Sequence, residues 1–478
     1  MQPYENTAMG EITEIHGKLS ATFDSGKTLP LEYRRAQLLA LARLTQDNAE
    51  ALLGALHSDL GRHKFEGNMP EISPPISACI HAANSLEEWM KPDKPQVEEW
   101  RSFYNTSIYK APKGVAIIIV PWNYPIALSL QPLIGAIAAG CTCVVKPSEY
   151  SPAVSSLLAG LFPKYLDPEA FAIVNGAEAE TTRLLELKWD HIFFVGSPRV
   201  GRIVAAAAAK NLTPVTLELG GKSPVFIDTN HVDLEIVAKR VLWGKTQNTG
   251  QACIAPDYVV VPRSQQDALV AAFQKAYDSF WPHPKGSLDE KSEMANIIHS
   301  KSQTRLQSLI SGTKGTVAIG GKSEGKRIEL TVVKDVKIDD VLMDDEIFGP
   351  ILPILPVDDV HEAIRIIRNR PTPLVIYLFT ENAATIELFV HKTRSGQLVM
   401  NDTFFQGGVY EMPAGGCGES GYGSYMGKYS FDSFTHLRGS INIPLTMEPF
   451  MALRYPPYTE ETYNSALTAG SRAHIPAA

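Results

Sequence analysis

Val115-Ala-Ile-Ile-Ile-Val120 is an unbroken apolar run, largely β-branched, bounded by Gly114 and Pro121. A strand with no polar face must be covered on both sides, as in a parallel sheet whose crossover helices lie above and below it. Similar short runs recur at Thr142–Val145, Ala172–Val174, His191–Val195 and Pro224–Ile227, with helical segments between them. A further α/β stretch carries strand candidates at Tyr258–Val261, Ile351–Leu355, Leu374–Phe379 and Gln397–Met400, and helical spacing over Asp267–Phe280 and Val360–Ile367. This alternation predicts an α/β chain built on parallel sheets. The first hundred residues read as packing helices, with apolar residues three and four apart over Leu31–Leu44 and a second such segment from Glu50 to Leu56. The end of the chain, Pro444 to Ala478, is rich in Pro, Tyr and Ala and is read as irregular surface structure.

At 478 residues the chain exceeds one typical domain, and 44% hydrophobic residues supply ample core for two or three. A net charge of −8 with no dense Lys/Arg run argues against a nucleic-acid partner. Cys79, Cys141, Cys143, Cys253 and Cys417 are too few and too irregularly spaced for a disulfide framework or a zinc site, so a reducing, cytoplasmic setting is expected and no metal. Strand alternation puts the Cys141 and Cys143 sulfurs on one face, as small buried hydrophobes. There is no basic segment followed by an apolar run at the N-terminus and no stretch of about 18 apolar residues, so neither secretion nor a spanning helix is expected.

The chemistry concentrates in two motifs. Thr216-Leu-Glu218-Leu-Gly-Gly-Lys222 holds an ionisable carboxylate inside an apolar segment, where desolvation raises its pKa and suits it to general-base work. Asn248-Thr-Gly-Gln-Ala-Cys253 holds a thiol 35 positions later, behind a flexible glycine. A thiol that attacks a carbonyl and a carboxylate that later activates water are what oxidation of an aldehyde through a thioester requires. The break near Leu219-Gly-Gly221 separates the two and predicts a cleft where two domains meet. Further along the sheet signals, Phe194-Val-Gly196-Ser-Pro-Arg-Val-Gly201 is a glycine-spaced strand-to-helix turn. Ser197 reads there as the N-cap and Pro198 as the first helical residue, leaving backbone N–H groups for a pyrophosphate.

These motifs, with Pro121-Trp-Asn-Tyr-Pro125, Lys146-Pro-Ser-Glu149 and Glu346-Ile-Phe-Gly-Pro350, resemble the aldehyde dehydrogenase superfamily over about Gly114 to Arg438. The resemblance implies Cys253 as nucleophile, Glu218 as the base that activates water, and Asn123 with the Cys253 backbone N–H as an oxyanion hole. It implies NAD held by Lys146 and Glu149 at the adenosine ribose, by Gly196, Ser197 and Gly201 at the pyrophosphate, and by Glu346 and Phe348 at the nicotinamide end. The Glu149 carboxylate favours NAD, with NADP also accepted by the class most similar to this chain. That class is the class 3, fatty-aldehyde type, which the flanks Gln131–Gly140, Ala255–Tyr258 and Gly427–His436 resemble.

The implied fold is a Rossmann-like cofactor domain (1–97 and 114–219), an α/β catalytic domain (220–428), a small oligomerisation β-flap (98–113 and 429–447) and a C-terminal tail (448–478). The implied assembly is a homodimer acting on medium- or long-chain aliphatic, aromatic or bulky apolar aldehydes. Some relatives carry a hydrophobic C-terminal anchor where this chain has none, which leaves peripheral membrane contact of the tail open. Three departures stand out. One extra residue near Asn230-His-Val232 falls in a turn before a helix starting near Asp233. Gln406 stands where a His is frequent, and Ala414 where the family usually has Phe. The missing ring opens a pocket that Tyr124, Phe404 and Phe405 line with apolar surface. Alternative readings are acyl transfer to coenzyme A, against which Glu218 argues, and a catalytically idle NAD- or aldehyde-binding protein.

Overall fold

The computed structural model describes residues 3–470. Two sheets lie within the larger of its two compact units, Met1–Trp89 with Pro112–Thr435. The first sheet runs, edge to edge, Gly421–Tyr422, Val215–Leu219, His191–Gly196, Val115–Ile119, Thr142–Lys146, Phe171–Ile173. Four of its five strand pairings are parallel, and only Gly421–Tyr422 runs against its partner. Across the sheet the parallel strands stand third, second, first, fourth and fifth in chain order, the arrangement of a mononucleotide-binding half. The order reverses between Val115–Ile119 and His191–Gly196, and ligands of such sheets bind beyond the carboxyl ends at that switch point.

Every residue of Val115–Ile119 and Thr142–Lys146 is buried, as the unbroken apolar character of the first requires. Each such Val or Ile contributes about 1.5–3 kcal/mol on burial. The Cys141 and Cys143 sulfurs are part of this interior. Helix Met9–Asp24 covers the sheet with Ile12 and Leu19.

The second sheet runs Gln397–Met400, Val375–Phe379, Pro224–Ile227, Tyr258–Pro262, Ile351–Val357, Thr331–Lys334, Thr316–Ile319. It is parallel except at Thr316–Ile319. Helices Leu234–Thr246 and Gln266–Phe280 pack on one core and Val360–Arg368 on the other. Pro224–Ile227, whose run resembles those of the first series, pairs here with Tyr258–Pro262 and Val375–Phe379. The chain leaves one sheet at Leu219 and enters the next at Pro224, so the crossing takes only Gly220, Gly221, Lys222 and Ser223. Helix Leu234–Thr246 begins where the sequence put it, with the Asp233 carboxylate accepting from the Glu235 N–H at 2.8 Å, after a turn at Thr229–His231.

The smaller unit is Met90–Ala111 with His436–Ala478. Strands Ser107–Pro112 and Thr435–Ser440 form a two-stranded sheet, and the Asn442 N–H donates to the Tyr104 carbonyl at 2.8 Å. The expectation of irregular structure after Pro444 is corrected up to Gly470. Leu445–Met447, Glu448–Met451 and Ala452–Arg454 are short helical turns, and Glu460–Gly470 is an α-helix. Pro449 sits in the first turn of its helix, where proline is tolerated, and so starts the helix. Thr459 and Thr462 exchange side-chain and backbone hydrogen bonds at the start of the longer helix, satisfying its first N–H groups. The last part of that reading, 471–478, lies outside the described residues.

Candidate active site

The segment ahead of Cys253 is bent by three consecutive left-handed residues, Asn248, Thr249 and Gly250, at φ 47°, 56° and 73°. Only glycine adopts this region freely, so two of the three are strained and must be held by their surroundings. Thr249 Oγ1 donates to the Ala295 carbonyl at 2.7 Å, and the Asn248 side-chain amide donates to the carbonyls of Asn123 and Gln251 at 3.0 Å each. Gln251 Nε2 donates back to the Asn248 carbonyl and to the Asn296 carbonyl. A Cβ on Gly250 would stand 2.3 Å from the Gly349 carbonyl oxygen. The turn ends with Cys253 partly exposed in the wall of a cavity of about 400 Å³.

Glu218 lines the same cavity from the end of strand Val215–Leu219 and is its one charged lining residue. Burial pushes its carboxyl up to about 8, against the opposing pull of the Gly416 N–H. Its Oε1 has no hydrogen-bond partner among the described residues. Burial, with the carboxylates of Glu346 and Glu218 adding to it, pushes the Cys253 thiol up to about 12. The thiol is therefore protonated at neutral pH, and two carboxyl groups are close enough to sense its charge. Asn123 is buried, and its Oδ1 also lacks a partner among the described residues. The Cys253 carbonyl and the next one, of Ile254, accept from Ser223 Oγ at 3.5 Å and Tyr377 Oη at 2.6 Å.

Tyr124, Gln406 and Ala414 line the cavity too, as do Phe404 and Phe405. Gln406 Nε2 donates to Tyr377 Oη at 3.3 Å, while its Oε1 is unpartnered among the described residues. Ala414 forms an isolated antiparallel bridge with Tyr425, so its small side chain is set in a fixed backbone.

The remaining sequence candidates cluster along the carboxyl ends of the first sheet. Lys146 ends its strand, is buried, and pairs with Glu149 at 3.3 Å; burial lowers the pKa of its ammonium, and Glu149 opposes that. Ser197 caps helix Pro198–Ala209, its Oγ accepting from the Val200 N–H at 3.4 Å and its carbonyl from the Gly201 N–H at 2.9 Å; Pro198 has no N–H, so the Arg199 N–H is left as the first-turn donor at the switch point. Arg199 is exposed. A Cβ on Gly196 would lie 2.6 Å from the Phe194 ring, and one on Gly201 would lie 2.7 Å from Leu219. The absence of a side chain at Gly201 thus lets helix Pro198–Ala209 pack close to Leu219. Glu346 nestles against Gly220, where a Cβ would come within 2.2 Å of its carboxylate, and burial pushes its carboxyl up to about 8. Phe348 is held at φ 48°, its ring edge-on to Trp122 at 5.6 Å.

Sequence reasoning missed four groups. Arg62 is fully buried and donates to Glu71 and to the Asn123 carbonyl, each at 2.5 Å. Glu66 accepts from the Asn248 backbone N–H. Among charge-rich residues of a helical region these three look like a solvated face, and no periodicity separates them from one. Lys245 carried a signal: it continues the buried face of Val237, Ala238, Val241 and Leu242 at helical spacing. It is fully buried with no partner for Nζ among the described residues, and burial lowers its ammonium to about 8.

Comparison with known proteins agrees with this geometry. The family model described as "Aldehyde dehydrogenase family" matches residues 6–439. Mouse aldehyde dehydrogenase family 3 member B2 is 43% identical over 460 residues, 96% of this chain and 94% of the relative. Human member B1 is 42% identical, over 96% of this chain and 98% of its own. Among solved structures, substrate-bound Staphylococcus aureus AldH superposes with a TM-score of 0.90 at 35% identity, over 96% of this chain and 99% of the other. The NAD+ complex of a Bacillus cereus aldehyde dehydrogenase gives 0.83 at 26% identity, over 91% and 89%. This chain belongs to the aldehyde dehydrogenase family, NAD(P)-dependent oxidoreductases that convert aldehydes to carboxylic acids.

Proposed function

We propose that Cys253, Asn123 and Glu218 carry out this oxidation on uncharged, bulky apolar aldehydes. The observation that carries the reading is that a thiol and a single, desolvated carboxylate share one otherwise uncharged cavity. The Cys253 sulfur adds to the carbonyl carbon as its proton passes to Glu218 in its deprotonated form and from there to solvent, which leaves Glu218 free to act again. The Asn123 side-chain amide and the Cys253 backbone N–H hold the resulting alkoxide. NAD, when bound, would supply the hydride acceptor that the oxidation of the adduct carbon requires. Glu218 then takes a proton from water as the water oxygen attacks the thioester carbonyl, and the carbon–sulfur bond breaks to release the acid and the thiol.

The residues at the switch point fit the cofactor. Lys146 and Glu149 would hold the adenosine ribose, and the start of helix Pro198–Ala209, with the Arg199 N–H, would take the pyrophosphate, with Gly196 leaving room above Phe194. Glu346 and Phe348 would hold the nicotinamide end, Glu346 lying close enough to Cys253 to raise its thiol. The Glu149 carboxylate would repel a 2′-phosphate, which favours NAD.

Substrate class follows from the cavity wall. Met69, Pro70, Leu128, Trp243, Phe404 and Phe405 supply apolar surface, and among the described residues no cationic side chain lines it to bind a carboxylate-bearing aldehyde. NADH formation by wild type and Cys253→Ala over hexanal, hexadecanal, benzaldehyde and a bulky polyene aldehyde tests the reading. Turnover that vanishes in the variant is expected. Equal turnover in both, or none on any aldehyde with NAD or NADP, overturns it. We further read the assembly as a homodimer of a cytoplasmic enzyme. The two-stranded sheet of the smaller unit leaves the outer edge of Thr435–Ser440 unpaired among the described residues, and Leu437 and Ile441 are 58% and 59% exposed beside it. No helix among the described residues is long and apolar enough to cross a membrane.

A further inference from the structure

Arg62 sits in the interior with two carboxylates and one aromatic ring. Its Nη1 donates to Glu71 Oε1 and its Nη2 to the Asn123 backbone carbonyl, each at 2.5 Å, and its guanidinium carbon lies 4.6 Å over the Tyr124 ring. Glu71 uses its other oxygen to accept from the Ile126 and Ala127 N–H groups at 2.8 and 3.0 Å, at the start of helix Pro125–Ala139. Glu66, whose Oε1 is 3.9 Å from Arg62 Nε, accepts from the backbone N–H of Asn248, the first left-handed residue of the thiol turn. Asn248 closes the circuit by donating its side-chain amide to the same Asn123 carbonyl at 3.0 Å. Burial works against the charge on Arg62, but Glu71 and Glu66 outweigh it and keep the guanidinium protonated.

The chain that supplies these charges also faces the cavity. Between Glu66 and Glu71 the helix widens into a π-turn, Asn68–Ile72, and Met69 and Pro70 of that turn line the cavity wall. A π-turn inside a helix is a costly conformation that recurs at functional sites. Here it lets two carboxylates turn inward, toward two different loops, while the residues between them face the substrate.

We propose that Arg62, with Glu66 and Glu71, is a positioning residue that sets the Asn123 turn against the Asn248–Gly250 turn and thereby the oxyanion donor against the attacking sulfur. The inference rests on the roles given above to Asn123 and Cys253. Arg62 touches neither substrate nor reacting atoms; it acts through the Asn123 carbonyl, which has two donors when both Arg62 and Asn248 are in place. A buried charged network of this kind is worth having for its geometry more than for its net stability, since desolvation offsets much of the attraction.

The test is a double-mutant cycle on the full chain, read as the pre-steady-state burst of NADH with one good aldehyde. Arg62→Met should slow the burst by about 10²-fold, within the range of losing one oxyanion donor. Its KM and its NAD affinity, followed by NADH fluorescence, should stay within about threefold of wild type, and Arg62→Lys should recover part of the rate. Asn123→Ala should be slow as well, and Arg62→Met should cost less than about threefold more in the Asn123→Ala background, because both changes remove one interaction. Additive losses, or a full burst in folded Arg62→Met, overturn the positioning role. If Arg62→Met does not fold, Glu66→Leu, which removes the Asn248 anchor and one of the two carboxylates facing Arg62 at a less buried position, must show the same burst loss and non-additivity, or the role is overturned. A full burst in Asn123→Ala itself would instead refute the oxyanion assignment on which the inference stands.

Discussion

At the scale of single residues, the site is governed by what burial does to ionisable groups. Glu218 at about 8 is mostly protonated at neutral pH, and a base works only when deprotonated. The deprotonated fraction rises about tenfold per pH unit below that value and levels above it. Thioester hydrolysis should therefore climb with pH and flatten above about 8 in a kcat profile, while Glu218→Gln should lose the slope and most of the rate. A flat wild-type profile would remove Glu218 as the base. Asn123 is a second case, because its unpartnered Oδ1 marks an amide whose hydrogen-bonding partners are incomplete among the described residues. Asn123→Ala should lower kcat by about 10²–10³-fold with little change in thermal stability. At the substrate side, Ala414→Phe places a ring in the cavity and should cut kcat/KM for the polyene aldehyde and benzaldehyde more than for hexanal. An unchanged ranking across the panel would mean that Ala414 does not set the width of the pocket.

At the scale of elements, the thiol turn is the most demanding piece of backbone. Three left-handed residues in succession persist because Thr249, Asn248 and Gln251 are each tied to a neighbouring carbonyl. Gly250→Ala would add backbone strain of about 1–3 kcal/mol and a methyl 2.3 Å from the Gly349 carbonyl. We expect a lower Tm and a slower NADH burst; unchanged stability and burst rate in Gly250→Ala would show that the turn tolerates rearrangement. The strand candidates were legible at this scale because buried parallel strands are continuous apolar runs, as at Val115–Ile119. Thr316–Ile319 and Thr331–Lys334 escaped notice for the opposite reason. The first is an edge strand with two exposed residues, and both are short and bounded by Thr or Lys. The helix at Glu460–Gly470 was hidden by the surrounding Pro and Tyr residues, although its caps are local.

At the scale of the whole molecule, the smaller unit exposes apolar side chains that a monomer would leave in water, among them Leu437, Ile441 and Leu445. A short two-stranded sheet whose Thr435–Ser440 edge is open among the described residues can extend by pairing with a second copy. Light scattering should report a dimer, and Leu437→Asp should shift it toward monomer with the NADH burst per active site retained. A monomeric wild type at micromolar concentration would defeat the dimer reading.

Local chemistry explains why so much could be read before any coordinates. Continuous apolar runs specify buried parallel strands, Ser197-Pro198 specifies a helix start, and a glutamate among leucines specifies a desolvated carboxylate. Those are properties of neighbours along the chain. What only tertiary structure decided are relations between residues far apart in sequence. Pro224–Ile227 joined the second sheet, Gly201 became a packing contact under Leu219, and Glu346 came to rest in the space left by Gly220. Arg62, Glu66 and Glu71 turned inward to hold Asn123 and Asn248, 61 and 182 positions away. Charge at such positions looks like ordinary surface charge until folding supplies the partners, because the free energy that makes burial tolerable resides in the partners and not in the residue itself.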